Sequence, residues 1–212
     1  MERKEVSKSV LKRLPIYLAY LKGLPKDSAA YISATSLANA LGMGEVQVRK
    51  DLAMVSDGGR PKLGYLRESL MDDISQFLGY DNTTDAILVG AGKLGQALLG
   101  YNGFEAYGLN ILAAFDVAPT TDRTEDGKPI LPMEELEDFC RVNKVLMGII
   151  TVPASCAQEV CDKLISCGIK AIWTFAPVHL DVPANILVQN ENMATSLAVL
   201  SMHLQAQIKE KK

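Results

Sequence analysis

The sequence lacks any apolar run near the roughly 18–20 uninterrupted residues that a membrane-spanning helix needs. Its opening Met1-Glu-Arg-Lys-Glu5 holds no apolar signal core, so a cytoplasmic location is expected. Histidine is nearly absent, with only His179 and His203, which leaves few candidates for the general acid/base that a dehydrogenase needs. Four cysteines (Cys140, Cys156, Cys161 and Cys167) form no C-x-x-C pair and have no histidine at ligand spacing. No metal centre is therefore expected. Small, mostly buried thiols in a reducing compartment are expected instead, with a thiol redox switch as the alternative. There is no internal repeat and no low-complexity tract.

What is present is an ordinary globular composition, 48% apolar and 22% charged over 212 residues, enough for one or two domains. The net charge of −3 hides an asymmetry. Residues 1–67 hold twelve Lys/Arg against six Asp/Glu, and the remainder holds ten against nineteen. A basic block ahead of an acidic one suggests that the first part meets a polyanion.

The basic block reads as helices. Residues 1–14 are polar and form an expected loose arm, and Pro15 suits the first position of a helix that carries Ile16, Tyr17, Tyr20, Leu21 and Leu24. Ser33 can cap a second helix that stops at Gly42. Glu45 to Val55 reads as a third, with Val46, Val48, Leu52 and Val55 inward. Two short helices about a glycine turn outline a helix-turn-helix, whose second helix enters a major groove. Periodicity alone fits a plain helical hairpin equally. The outer face of the third helix favours DNA: Gln47, Arg49 and Lys50 supply base-edge and phosphate donors, with Asp51 next in line. Asp57 to Tyr65 follows as a turn-rich basic segment shaped like a wing, with Arg60 and Lys62 over phosphates or a minor groove. Leu66 to Phe77 reads as a connecting helix.

The acidic block alternates short apolar runs with amphipathic stretches, the mark of βαβ units and a parallel sheet. Its strongest signal is Ile87-Leu-Val-Gly90-Ala91-Gly92-Lys93-Leu94-Gly95, an apolar run that ends in G-x-G-x-x-G before a helix-forming run. That order fits a dinucleotide-binding turn, whose backbone N–H groups face a diphosphate. Asp116, with Val117 beside it, ends the second expected strand 21 residues past Gly95. A carboxylate there accepts from ribose hydroxyls and repels a 2′-phosphate, which favours NAD(H) over NADP(H). Arg123 keeps the NADP alternative open. Thr151, Val152 and Pro153, then Thr174, Phe175 and Pro177, end later strands at the same edge and are expected on the nicotinamide side. Trp173 is expected in the core.

His179 is the sole histidine near that edge, and no Arg, Lys or Glu partners it at recognisable spacing, so binding without turnover is expected. The rival is an NAD-dependent oxidoreductase with a helical N-terminal appendage and His179 as acid/base. A ligand-independent architectural DNA binder is a third reading. The last stretch, from Ala194 to about Glu210, is amphipathic through Leu197, Leu200, Leu204 and Ile208, with no strand after it to cover that face.

Several strings together carry a resemblance: Lys12-Arg-Leu-Pro-Ile-Tyr17, Val46-Gln-Val-Arg-Lys-Asp-Leu52, Gly90-Ala-Gly-Lys-Leu-Gly95, Ala114-Phe-Asp116, Thr151-Val-Pro-Ala154, and Cys167-Gly-Ile-Lys170 with Phe175-Ala-Pro177. In this order they resemble the Rex redox-sensing transcriptional repressors over nearly the whole chain. The resemblance implies an α/β homodimer: a winged helix-turn-helix over 1–80, a Rossmann-type parallel sheet over 81–190, and a swapped dimerisation helix over 191–212. It implies NAD(H) as cofactor and double-stranded operator DNA as partner, with repression relieved by NADH. It also implies an interdomain polar switch through Arg13, Tyr101 and the position of Asn192. The chain departs from that family at Thr174, usually Asn, at Asn192, usually Asp, and at Ser56-Asp-Gly-Gly in the wing, which usually contains phenylalanine. Those changes bear on the redox response more than on the fold.

Overall fold

The computed structural model describes residues 6–210. The chain divides into two compact units, Met1–Asn82 with Ala106–Gly108, and Thr83–Glu105 with Leu109–Lys212.

The first unit opens on α1 (Lys8–Gly23), capped by the Ser7 hydroxyl, which accepts from the Val10 N–H at 3.4 Å. The helix thus starts a full two turns earlier than Pro15, which lies inside it. The expected arm over 1–14 is corrected accordingly for residues 8–14, and residues 1–5 lie outside the described residues. An interior proline costs about 3 kcal/mol. Leu14, Tyr17, Leu18 and Leu21 are each at most 1% exposed, and burying such side chains returns roughly 1.5–3 kcal/mol apiece. Packing wins.

β1 (Tyr31–Ile32) leads into α2 (Ala34–Leu41), whose Ser33 cap accepts from the Ser36 N–H at 3.0 Å. Gly42, at φ 63°, ends that helix as expected. α3 (Glu45–Val55) buries Val48 and Leu52 fully, but Val46 is 64% exposed and not inward. Two positions are roughly 200° apart on a helix, so Val46 and Val48 cannot share a face. β2 (Tyr65–Leu66) pairs antiparallel with β1, and α4 (Arg67–Leu78) lays Leu70 and Ile74 into the same core as α1. This last helix is part of the unit's core and not only a connection.

The second unit holds β3 (Thr84–Val89), α5 (Lys93–Leu99), β4 (Leu109–Asp116), β5 (Ile130–Pro132), α6 (Leu136–Asn143), β6 (Met147–Ile150), α7 (Ala154–Ser166), β7 (Ala171–Thr174), β8 (Leu187–Asn190) and α8 (Met193–Glu210). All six strands are parallel, in the order β5-β4-β3-β6-β7-β8. Alternate strand residues face opposite sides. Ile87, Val89, Ala113 and Phe115 pack with α6 and α7, and Ala86, Leu88, Ile111 and Ala114 pack with Leu99 and the partly buried Phe104. β5 has no counterpart in the sequence expectation, because three residues ending in Pro132 make too short a run to register. Along α8, Leu197, Leu200, Leu204 and Ile208 are all more than half exposed.

Candidate functional site

The strand order reverses between β3 and β6, where the chain leaves one strand toward β4 and the other toward β7. Crevices beyond the carboxyl ends of strands form at such a point. Gly90 stands there at φ 104°, a conformation that a side chain resists, and its N–H donates to Phe115 O at 2.8 Å. Gly95 is required for a different reason: a Cβ on it would collide with Gly90 O. Turn and helix touch through bare backbone.

The Asp116 carboxylate closes the turn from the β4 side, accepting from the Ala91 N–H at 2.6 Å and the Ala118 N–H at 3.0 Å. Gln96, which sequence reasoning missed, donates to Ala91 O at 2.8 Å. Its signal was its place directly after the third glycine, on the turn side of α5. A cavity of about 310 Å³ opens here, lined among others by Ala91, Gly92, Lys93, Gln96 and Asp116. The triple-glycine strand-turn-helix and Asp116 are therefore brought together as expected. Leu94 and Val117 are exposed, Val117 at 86%. Arg123 donates to Gly127 O at 2.9 Å, so its guanidinium is engaged by its own turn.

On the β6 side, Thr151 and Val152 lie directly against Gly90: the Thr151 hydroxyl donates to Gly90 O at 2.7 Å, and Val152 would meet a Cβ placed on Gly90. Pro153 precedes α7. Thr174 is fully buried, and its hydroxyl accepts from the Ala176 N–H at 3.2 Å, which shapes the bend that carries Phe175 and the exposed Pro177. Trp173 packs against Phe104 and Phe175 and donates its indole N–H to Glu191 at 3.2 Å. His179 lines a different cavity, of about 390 Å³, with Asp181 and Asn190.

In the first unit, Gln47, Arg49 and Lys50 are exposed on α3, and Arg49 is paired with Glu45 one turn back. Asp51 is not on that outer face. It is 3% exposed and accepts from Arg13 Nε at 2.7 Å, Arg13 Nη2 at 2.9 Å and the Tyr17 hydroxyl at 2.8 Å. The Gln47 amide, turned to suit both partners, also accepts from Arg13 at 2.8 Å. Burial, reinforced by Asp51, pushes the Tyr17 phenol up to about 12, and the hydrogen bond to Asp51 raises the Arg13 guanidinium above its already high ordinary value. One arginine on α1 thus braces α3 at two successive turns. In the wing, Arg60 and Gly64 exchange both backbone hydrogen bonds, at 2.8 and 2.9 Å, and Lys62 sits at φ 65°. Arg60 lies over the Tyr31 ring, 5.9 Å from its centroid.

Each residue of the expected interdomain switch has a partner in its own unit. Arg13 binds Asp51, Tyr101 stacks edge-on with Phe104 at 4.9 Å, and Asn192 caps α8 by accepting from the Thr195 N–H at 3.1 Å. Of the cysteines, Cys140 and Cys161 are buried and Cys167 is half-buried, but Cys156 is exposed. Among the described residues no cluster of His, Cys, Asp or Glu could hold a metal ion, and no helix is long and apolar enough to cross a membrane.

A winged helix-turn-helix followed by a Rossmann-type sheet with a dinucleotide turn defines a DNA-binding regulator built around a nucleotide-binding fold. Comparison with known proteins agrees in both halves. Residues 5–53 match the family described as putative DNA-binding protein N-terminus, and residues 81–178 match the CoA binding domain family. The redox-sensing transcriptional repressor Rex of Treponema denticola is 40% identical over 197 residues, covering 91% of this chain and 92% of that protein. Its counterpart from Porphyromonas gingivalis is 39% identical, covering 92% and 90%. The crystal structure of RSP in complex with beta-NAD+ and operator DNA superposes with a TM-score of 0.89 at 35% identity, over 98% of this chain and 96% of that one. RSP in complex with beta-NADH gives 0.83 at 35% identity, over 99% and 100%. The chain belongs to the Rex family of redox-sensing transcriptional repressors.

Proposed function

We propose that this protein represses transcription by gripping operator DNA through α3 and the wing, and that NADH bound at the Gly90–Gly95 turn releases it. The observation that carries this reading is the Asp116 carboxylate seated on the glycine turn at the switch point of the sheet. A dinucleotide there lays its diphosphate along Ala91, Gly92, Lys93 and Leu94 and its adenosine ribose beside Asp116, whose charge repels a 2′-phosphate. The nicotinamide end then lies toward Val152, Pro153, Phe175 and Pro177. These are uncharged, and an apolar lining favours the neutral reduced ring over the cationic oxidised one.

Arg49 and Lys50 supply base or phosphate contacts from α3, Gln47 stands beside them, and Arg60 and Lys62 add backbone contacts from the wing. The exposed apolar face of α8 supports a homodimer, which would place two α3 helices on successive half-sites. A cytoplasmic location follows from the DNA partner. The dinucleotide is a signal here and not a reactant; His179, the rival reading's acid/base, lines the other cavity.

A ligand shifts such an equilibrium only by its differential affinity for the two states. The test is an operator-binding titration at fixed salt with NADH and NAD+ in competition. NADH is expected to weaken operator binding far more than NAD+ does. Equal effects of the two, or none, would remove the redox reading.

A further inference from the structure

β3 and β6 are paired in register up to Val89 and Ile150, so Gly90 and Thr151 are the first residues beyond them on neighbouring strands. The Thr151 N–H donates to Val89 O at 2.9 Å, which continues the ladder by one rung. Its hydroxyl then has two carbonyls within reach, Gly90 O at 2.7 Å and Val89 O at 3.1 Å. The shorter bond goes to the carbonyl that the ladder does not use. Among the described residues no backbone N–H reaches Gly90 O, which is buried and faces the Cα of Gly95.

A buried carbonyl without a donor is unfavourable, so the hydroxyl holds Gly90 in its left-handed conformation. That conformation sets where the N–H groups of the next residues aim. The hydroxyl proton is spent on this bond and is not offered to the nicotinamide. We propose that Thr151 is a positioning residue: through Gly90 O it fixes the diphosphate turn from the nicotinamide side of the cleft, without itself contacting the dinucleotide's ring. Asp116 and Gln96 hold Ala91 from the other flank, and Thr151 completes the brace.

This assignment rests on the dinucleotide reading above, and its test separates the two. Calorimetric titrations compare NADH with ADP, which shares the diphosphate but has no nicotinamide, on wild type, Thr151→Val, Thr151→Ala and Thr151→Ser. Losing one neutral hydrogen bond weakens binding by about fivefold to tenfold. That loss is expected for both ligands and by the same factor in Thr151→Val and Thr151→Ala, with Thr151→Ser restoring both to within about twofold. Thermal unfolding and operator binding of each variant report folding, and Thr151→Ala carries the test should valine's methyl, set against Gly90 O in place of the hydroxyl, disturb the cleft. A loss for NADH alone would assign Thr151 to the nicotinamide and overturn the proposal. Unchanged affinities, or a serine variant as weak as valine, would overturn it as well. Wild type that binds neither ligand would remove the dinucleotide reading itself, and this assignment with it.

Discussion

In the first unit the proposed DNA-facing surface is a set of long side chains on one helix, and what fixes that helix is a buried ionic cluster beneath. In the second the proposed dinucleotide surface is mostly backbone, kept bare by missing side chains and held in shape by one hydroxyl, one carboxylate and one amide. Arg49 and Lys50 are exposed on α3, so exchanging either leaves its core side chains Val48 and Leu52 in place. Gly95 cannot gain a single carbon without moving Gly90. A site of side chains fails by subtraction and a site of backbone fails by addition.

The sharpest way to break this contrast is Gly95→Ala. The added carbon has nowhere to go, so NADH affinity is expected to fall by at least about a hundredfold, or roughly 2.7 kcal/mol, while ligand-free operator binding persists. Calorimetry and gel shifts read the two sides, and an NADH affinity within tenfold of wild type would refute the backbone account. Next comes Asp51→Ala, which strands Arg13 and Tyr17. Breaking a buried pair costs about 3–5 kcal/mol, and the loss is expected in thermal unfolding of the first unit with dinucleotide affinity kept.

Alkali should reach the same cluster. Tyr17 is an acid whose folded-state pKa is raised, so folding favours its protonated form. The stability it adds is whole below pH 10 and disappears as pH rises from 10 through about 12. About 2–3 kcal/mol is at stake over that window. Tyr17→Phe should make the alkaline loss shallower, the buried Cys140 thiol and the Tyr65 and Tyr80 phenols supplying what remains; an unchanged profile would sink the assignment. Arg49→Ala and Lys50→Ala are smaller, each weakening operator binding by about 1 kcal/mol. Where the deleted cation met a phosphate, the slope of log K against log salt should fall by about one. An effect of similar size, read in stability alone, separates Lys62→Gly from Lys62→Ala. Both delete the wing cation, but only glycine relieves the positive φ, so Lys62→Gly should be the more stable by about 1 kcal/mol in denaturant titration.

How much of this was legible in the sequence follows from what periodicity can encode. The strand, turn and helix around Gly90 were readable because spacing alone specifies them, and α3 was readable between its caps. Pro15 misled because its local preference for a helix start was overridden by the burial of Leu14 and Tyr17 on either side. Asp51 misled because a polar residue between Lys50 and Leu52 reads as solvated unless its partner, thirty-eight positions earlier, is known. Thr151 was placed at the right edge of the sheet, but no pattern says where a hydroxyl points. Gln96 went unseen for the same reason. The sequence thus told which segments converge, and the structure told which atoms meet.

The seat of the Asp116 carboxylate on the Ala91 N–H has a practical corollary. It acts as a resident anion at the mouth of the turn and already occupies the Ala91 N–H, so a phosphate group arriving there must seat on the N–H groups that follow. On the dinucleotide reading, a bare phosphate lacks the ribose hydroxyls from which that carboxylate can accept. A dinucleotide seated there would be sorted by its sugar before the state of its nicotinamide mattered.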